Sequence, residues 1–151
     1  MRCEDVMKRP VRLCHDYDTV QAAAHAMADA NVGFIPVCDA HERLVGVLTD
    51  RDIAVRLAAE DRTASETRVG EMMTRGVVSC RPADEIEDAE RLMAAHRTSR
   101  ILVVSAGRAL GVISLADLAA LDGPGAAQTL RAIARRELLD ARGARTRPAG
   151  G

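Results

Sequence analysis

Two hydroxyls in this chain stand three residues ahead of an aspartate. Thr49 precedes Asp52 in GVLTDRDIA (46–54), and Ser114 precedes Asp117 in GVISLADLA (111–119). That spacing has two chemical uses. As a helix cap, the hydroxyl accepts a bond from a free backbone N–H while the carboxylate complements the helix dipole. As a ligand grip, the same helix end offers N–H groups to a phosphate, and the carboxylate accepts bonds from adjacent sugar hydroxyls. Neither use is catalysis. Asp50 and Asp52 could suggest a pair of hydrolytic acids, but no nucleophile or base accompanies them.

The elements that must position these residues are written twice. Sliding the sequence by 66 positions pairs Met7 with Met73, Val11 with Val77, Cys14 with Cys80, Asp18 with Asp84, Met27 with Met93 and Ile35 with Ile101. After one deletion the offset becomes 65, which aligns Gly46 with Gly111, Asp52 with Asp117 and Ala54 with Ala119.

Each copy reads β-α-β-β-α. A first strand is expected at Val11–Cys14 and again at Val77–Cys80. Capping-box signals, Asp18 with Gln21 and Asp84 with Glu87, place the helix starts at the two aspartates. Val20, Ala23, Ala24 and Met27, like Ile86, Ala89 and Met93, recur at helical spacing and form the inward faces. FIPVCD and LVGVLT flank a turn at AHER, and RILVVS and ALGVIS flank AGR. A second helix follows each hydroxyl, with Ile53 and Leu57, or Leu118 and Leu121, facing inward. The unit is too small to bury its own sheet, so the copies are expected to pack together. The organisation expected is repeat one at 1–64, repeat two at 65–123, and a C-terminal helix with a disordered tail at 124–151.

Composition narrows the function classes. The 21 basic and 22 acidic residues nearly cancel, so no global field recruits nucleic acid or an anionic membrane. No apolar run approaches the roughly 20 residues of a membrane helix, and the N-terminus lacks a secretory signal, which makes the cytoplasm the expected address. Cys3, Cys14, Cys38 and Cys80 form no CxxC pair, and His15, His25, His41 and His96 share no ligand spacing; no metal site is expected. Tyr17 and Phe34 are the only aromatic residues besides histidine. A bound base or sugar must therefore be held by aliphatic walls and backbone groups.

The duplicated unit, with Gly46-Val47-Leu48-Thr49-Asp50-Arg51-Asp52 and Gly111-Val112-Ile113-Ser114-Leu115-Ala116-Asp117 at corresponding places and a methionine ahead of each first strand, resembles the CBS domain. The resemblance covers residues 1 to 123. It implies an α/β (α+β) tandem pair, a Bateman module, with its two sheets packed about a pseudo-twofold axis and two clefts between them. In relatives such clefts take adenosine-containing ligands: AMP, ADP, ATP or S-adenosylmethionine. Carried over, one site combines Thr49, Arg51 and Asp52 with Met73, Val77, Val78, Thr98 and Ser99. The other combines Arg100, Ser114 and Asp117 with Met7, Val11, Leu13, Val32 and Gly33. Arg100 matches a phosphate-binding position of some relatives, where the first copy has Phe34; the two sites are not expected to bind equally.

The expectation is a non-enzymatic regulatory module with no covalent cofactor, acting as a homodimer that senses an adenosine nucleotide and signals to an unknown regulated protein. The alternative is a dimerisation scaffold whose motif acids are only caps. Nitrogen-rich side chains Arg131, Arg135, Arg136, Arg142, Arg145 and Arg147 outnumber Glu137 and Asp140 after Leu130, but no nucleic-acid motif accompanies them.

Overall fold

The computed structural model describes residues 1–121, 125, 127–132, 134 and 135. Their elements are α1 (Cys3–Val6), β1 (Cys14–His15), α2 (Val20–Ala30), β2 (Phe34–Cys38), β3 (Leu44–Thr49), α3 (Val69–Met72), β4 (Ser79–Cys80), α4 (Ile86–His96), β5 (Arg100–Ser105), β6 (Arg108–Ser114) and α5 (Leu115–Ala119). A π-helical stretch at Asp52–Leu57 and a 3-10 turn at Ala64–Glu66 accompany them, and the described residues between 125 and 135 are helical, as expected for the C-terminal helix. The strands form two three-stranded sheets, β1-β2-β3 and β4-β5-β6. The duplicated mixed α/β grammar is thus realised. The expected disordered tail lies outside the described residues.

Within each repeat the first strand runs parallel to the second. His15 is the register partner of Cys38, and Cys80 that of Val103. β2 and β3 are antiparallel, with Phe34 opposite Thr49 and a bulge between Val37 and Cys38. The first strands are shorter than the apolar runs Val11–Cys14 and Val77–Cys80 suggest, because only Cys14–His15 and Ser79–Cys80 pair. The chain just upstream is engaged elsewhere: Lys8 exchanges backbone bonds with Val112, and Thr74 with Val47.

The helix starts also differ from expectation by one residue. Thr19 is the N-cap of α2, its hydroxyl accepting from the Ala22 N–H at 3.1 Å, and α4 starts after Glu85. Asp18 and Asp84 instead turn back and accept from the N–H of His15 and Arg81, each at 2.8 Å. A short carboxylate reaches a nearby backbone donor as readily as a helix end. Both helices stop at the same repeat position, Asn31 and Arg97, in the left-handed region at φ 51°.

Contacts divide the chain into two units that each draw on both repeats. The first holds Arg9–Val77 and Val104–Leu110; the second holds Met1–Lys8, Val78–Val103 and the described residues from Gly111 onward. In the first, Val20, Ala23 and Met27 of α2 pack with Ile35, Val37, Leu48, Val69 and Met72. In the second, Ile86, Ala89 and Met93 of α4 pack with Ile101, Val103, Ile113 and Leu118. Burying each Val, Ile, Leu or Met of these clusters contributes on the order of 1.5–3 kcal/mol.

The short helices follow the same rule. α3 joins the first unit through Val69 N–H to the Asp18 carbonyl, 2.8 Å. α1 joins the second through Cys3 N–H to the Asp84 carbonyl, 2.9 Å. Each docks beside the turn that leads into the long helix of its unit.

Candidate functional site

Each hydroxyl–aspartate motif lies where its repeat's third strand turns into a helix. In the first unit the Thr49 N–H donates to Asp52 Oδ2 at 3.0 Å, and the Asp52 N–H donates to Thr49 Oγ1 at 3.1 Å. In the second the Ser114 N–H donates to Asp117 Oδ2 at 2.8 Å, the Asp117 N–H to Ser114 Oγ at 3.2 Å, and the Ser114 hydroxyl to Asp117 Oδ2 at 2.7 Å. These are reciprocal caps. One carboxylate edge is therefore committed to the fold in both copies.

The rest of each carboxylate meets residues that the sequence did not single out. Thr74 donates its hydroxyl to Asp52, 3.2 Å from Oδ1 and 3.3 Å from Oδ2, and Arg56 Nε stands 3.9 Å from Asp52 Oδ1. Lys8 places Nζ 2.7 Å from Asp117 Oδ1. Lys8 and Thr74 are 66 positions apart and each follows a methionine, which is the signal that could have found them. The backbone brings them there: Thr74 bridges to Val47 and Lys8 to Val112, each next to the motif glycine. Both aspartate side chains are nearly buried, 11 % exposed for Asp52 and 9 % for Asp117. Burial pushes the Asp117 carboxyl up, but Lys8 and the two Ser114 donors outweigh it and hold the group below the usual carboxylate range.

The motif glycines answer to the same segments. A Cβ on Gly111 would stand 2.6 Å from Met7 Sδ, and one on Gly46 would stand 2.7 Å from the Thr74 carbonyl and 2.9 Å from Met73 Sδ. A side chain at either position would force its neighbours to shift. The start of each second strand is tied to the motif of its own repeat: Asp50 N–H donates to the Gly33 carbonyl at 2.9 Å, and Leu115 N–H to the Ser99 carbonyl at 2.8 Å.

The predicted residues divide between the units. Thr49, Arg51, Asp52, Met73 and Val77 belong to the first, whereas Val78, Thr98 and Ser99 belong to the second. Met7, Arg100, Ser114 and Asp117 lie in the second, and Val11, Leu13, Val32 and Gly33 in the first. Arg51, Ser99 and Arg100 are exposed, and the apolar Leu13 and Val32 are 36 % and 40 % exposed. Met7 and Met73 are buried against the motif strands.

A second group gathers away from the motifs. His15, Cys38 and Glu42 bring one ligand-type atom each to within 4.8 Å of one another. Sequence spacing could not show this, since it depends on the parallel register that sets His15 beside Cys38. The Glu42 carboxylate raises the His15 imidazole above its ordinary range and is itself lowered by it. Burial, then the Glu42 and Asp39 carboxylates, push the Cys38 thiol up to about 11.

Comparison with known proteins places these features in a family. The CBS domain matches at residues 3–59 and 69–122. CBS domain-containing protein YhcV of Bacillus subtilis is 40 % identical over 116 residues, 77 % of this chain and 81 % of that protein. The structure of Hypoxic Response Protein I with two coordinated zinc ions superposes with a TM-score of 0.73 at 28 % identity, covering 80 % of this chain and 98 % of that one. The CBS domain pair of protein MJ0100, in complex with 5′-methylthioadenosine and S-adenosyl-L-methionine, gives 0.70 at 25 % identity, covering 82 % and 100 %. With both repeats matched and the duplicated motif placed alike in each, this chain belongs to the CBS-domain family.

Proposed function

We propose that this protein is a non-enzymatic regulatory module that binds an adenosine-containing ligand at its duplicated hydroxyl–aspartate motifs and reports occupancy to a partner protein. The observation that carries this reading is the half-committed carboxylate. Asp52 and Asp117 each give one edge to a helix cap and hold the remainder with a side chain, Thr74 or Lys8, that can yield to sugar hydroxyls. A carboxylate has about four acceptor positions, so a ribose can add to the cap rather than break it. The ligands in the complex of the MJ0100 pair, S-adenosylmethionine and methylthioadenosine, share the adenosine that this grip would read. AMP, ADP and ATP share it too.

The two motifs are not chemically equal. Arg100 begins β5 with an exposed side chain, and Phe34, half-buried, stands at the equivalent start of β2. An arginine clamps phosphate through parallel charge-assisted bonds, which a phenyl ring cannot do. Lys8, 73 % exposed, adds a second cation beside Asp117. The Ser114–Asp117 motif is the one that favours a phosphorylated ligand.

Signalling requires that the ligand bind two arrangements of the module with different affinity. The repeats 1–64 and 65–123 are the two moving parts in this proposal, and a homodimer in the cytoplasm is its working form. A thermal-shift panel of AMP, ADP, ATP, S-adenosylmethionine and methylthioadenosine tests the reading, since a ligand selective for the folded state raises the melting temperature. A second reading, a scaffold that binds none of them, is favoured by the complete reciprocal caps at both motifs. A flat panel would select it.

A further inference from the structure

Beyond the adenosine motifs, we infer that His15, Cys38 and Glu42 form a binding site for a borderline-soft divalent transition metal, of which zinc is the type. The three side chains come from separate stretches of one unit and meet at the end of the β1–β2 parallel pair. His15 and Cys38 are register partners there, and Glu42 follows in the β2–β3 turn. Glu42 Oε1 lies 2.7 Å from His15 Nε2, and Glu42 Oε2 lies 3.9 Å from Cys38 Sγ.

The donor set decides the class of metal. A thiolate, an imidazole nitrogen and a carboxylate oxygen suit zinc and its neighbours, whereas magnesium and calcium take oxygen shells. A tetrahedral zinc needs donors at about 2.0–2.3 Å. Atoms already within 4.8 Å of one another therefore need only small side-chain rotations to converge on one ion.

The surroundings supply what a metal site requires besides its donors. Asp18 Oδ2 accepts from the His15 N–H at 2.8 Å and stands 3.9 Å from His15 Nδ1, longer than a hydrogen bond but on the side from which a carboxylate orients a ligating imidazole. Glu42 is held at φ 62° in a turn fixed by Asp39, whose Oδ1 accepts from His41 and Arg43 N–H. Cys38 and Glu42 also line a cavity of about 170 Å³ with Leu13, Leu44, Arg108 and Leu110. That cavity leaves room for water or an outside donor as fourth ligand. Binding releases the Cys38 thiol proton to solvent, and the metal takes up the resulting thiolate charge.

Cobalt(II) titration of the reduced full-length protein tests this directly, because a thiolate–cobalt bond gives a near-ultraviolet charge-transfer band and a tetrahedral site gives intense visible bands. The expected result is one cobalt per chain with both signals, displaced by zinc. Cys38→Ser should abolish the charge-transfer band, and His15→Ala and Glu42→Gln should each weaken binding tenfold or more. Cys80→Ser should leave both signals unchanged. His15 and Glu42 are partly or fully exposed, so their variants report even if Cys38→Ser does not fold. Absence of a thiolate band in the parent, a band that survives Cys38→Ser, or parent-like affinity in His15→Ala and Glu42→Gln would each overturn the assignment.

Discussion

Lys8 holds Asp117 by an ion pair of 2.7 Å, and at the matching place in the first repeat Thr74 holds Asp52 through a neutral hydroxyl at 3.2 Å. The same backbone bridge delivers both residues. One duplicated scaffold thus presents two carboxylates in different electrostatic settings, a close ion pair at Asp117 and only the longer 3.9 Å contact with Arg56 at Asp52, and this difference has measurable consequences.

The first is a pH dependence. Asp117 is held below its usual range in the folded chain, against the ordinary value of about 3.9 for an unfolded aspartate. A carboxylate with a lowered folded pKa binds fewer protons when folded than when unfolded. Its contribution is complete above the unfolded value and is lost as pH falls through the folded one. Urea unfolding from pH 7 down to pH 2 should show part of the acid loss of stability disappear in Asp117→Asn, and a smaller part in Lys8→Met. An acid limb identical to the parent in both variants would contradict the pairing.

The motif glycines give a second test. Gly46→Ala sets a Cβ 2.7 Å from a backbone carbonyl, which cannot move aside cheaply, whereas Gly111→Ala meets mainly the flexible Met7 side chain. Overpacking of this kind costs about 1–3 kcal/mol, and Gly46→Ala should lie at the upper end. Met7→Ala itself removes a buried side chain, so the double variant Gly111→Ala/Met7→Ala should lose less stability than the sum of the two single losses; an additive loss on denaturation would show that Met7 is not the obstacle.

Ala106 provides a stabilising prediction. It stands in the β5–β6 turn in the left-handed region at φ 50° with its side chain exposed. Glycine adopts that conformation without the steric cost alanine carries there. Ala106→Gly should therefore raise stability by about 0.5 kcal/mol, read as a shift of the urea midpoint at unchanged slope.

Much of this architecture was legible because it is local and written twice. The inward faces of α2 and α4, the β2–β3 and β5–β6 hairpins, and the Thr49–Asp52 and Ser114–Asp117 spacings all follow from short-range periodicity repeated at 66 or 65 positions. What sequence alone missed depends on competition or on register. Asp18 could cap a helix or close a turn, and its bond to the His15 N–H shows the turn winning while Thr19 takes the cap. Lys8 and Thr74 become partners of buried carboxylates only through bridges to strands distant in sequence. The His15–Cys38–Glu42 group needs the parallel pairing of β1 with β2 before any spacing becomes meaningful.

The most direct measurement is a calorimetric titration of AMP, S-adenosylmethionine and adenosine into the parent protein, Asp52→Ala and Asp117→Ala, with urea stability measured on the same samples. Each substitution should cost on the order of 1 kcal/mol of stability through the lost cap, while adenosine-ligand affinity at the altered motif falls at least tenfold. Asp117→Ala should remove the binding that prefers AMP over adenosine. If both folded variants bind every one of these ligands as tightly as the parent, the aspartates are caps alone and the proposed grip is wrong.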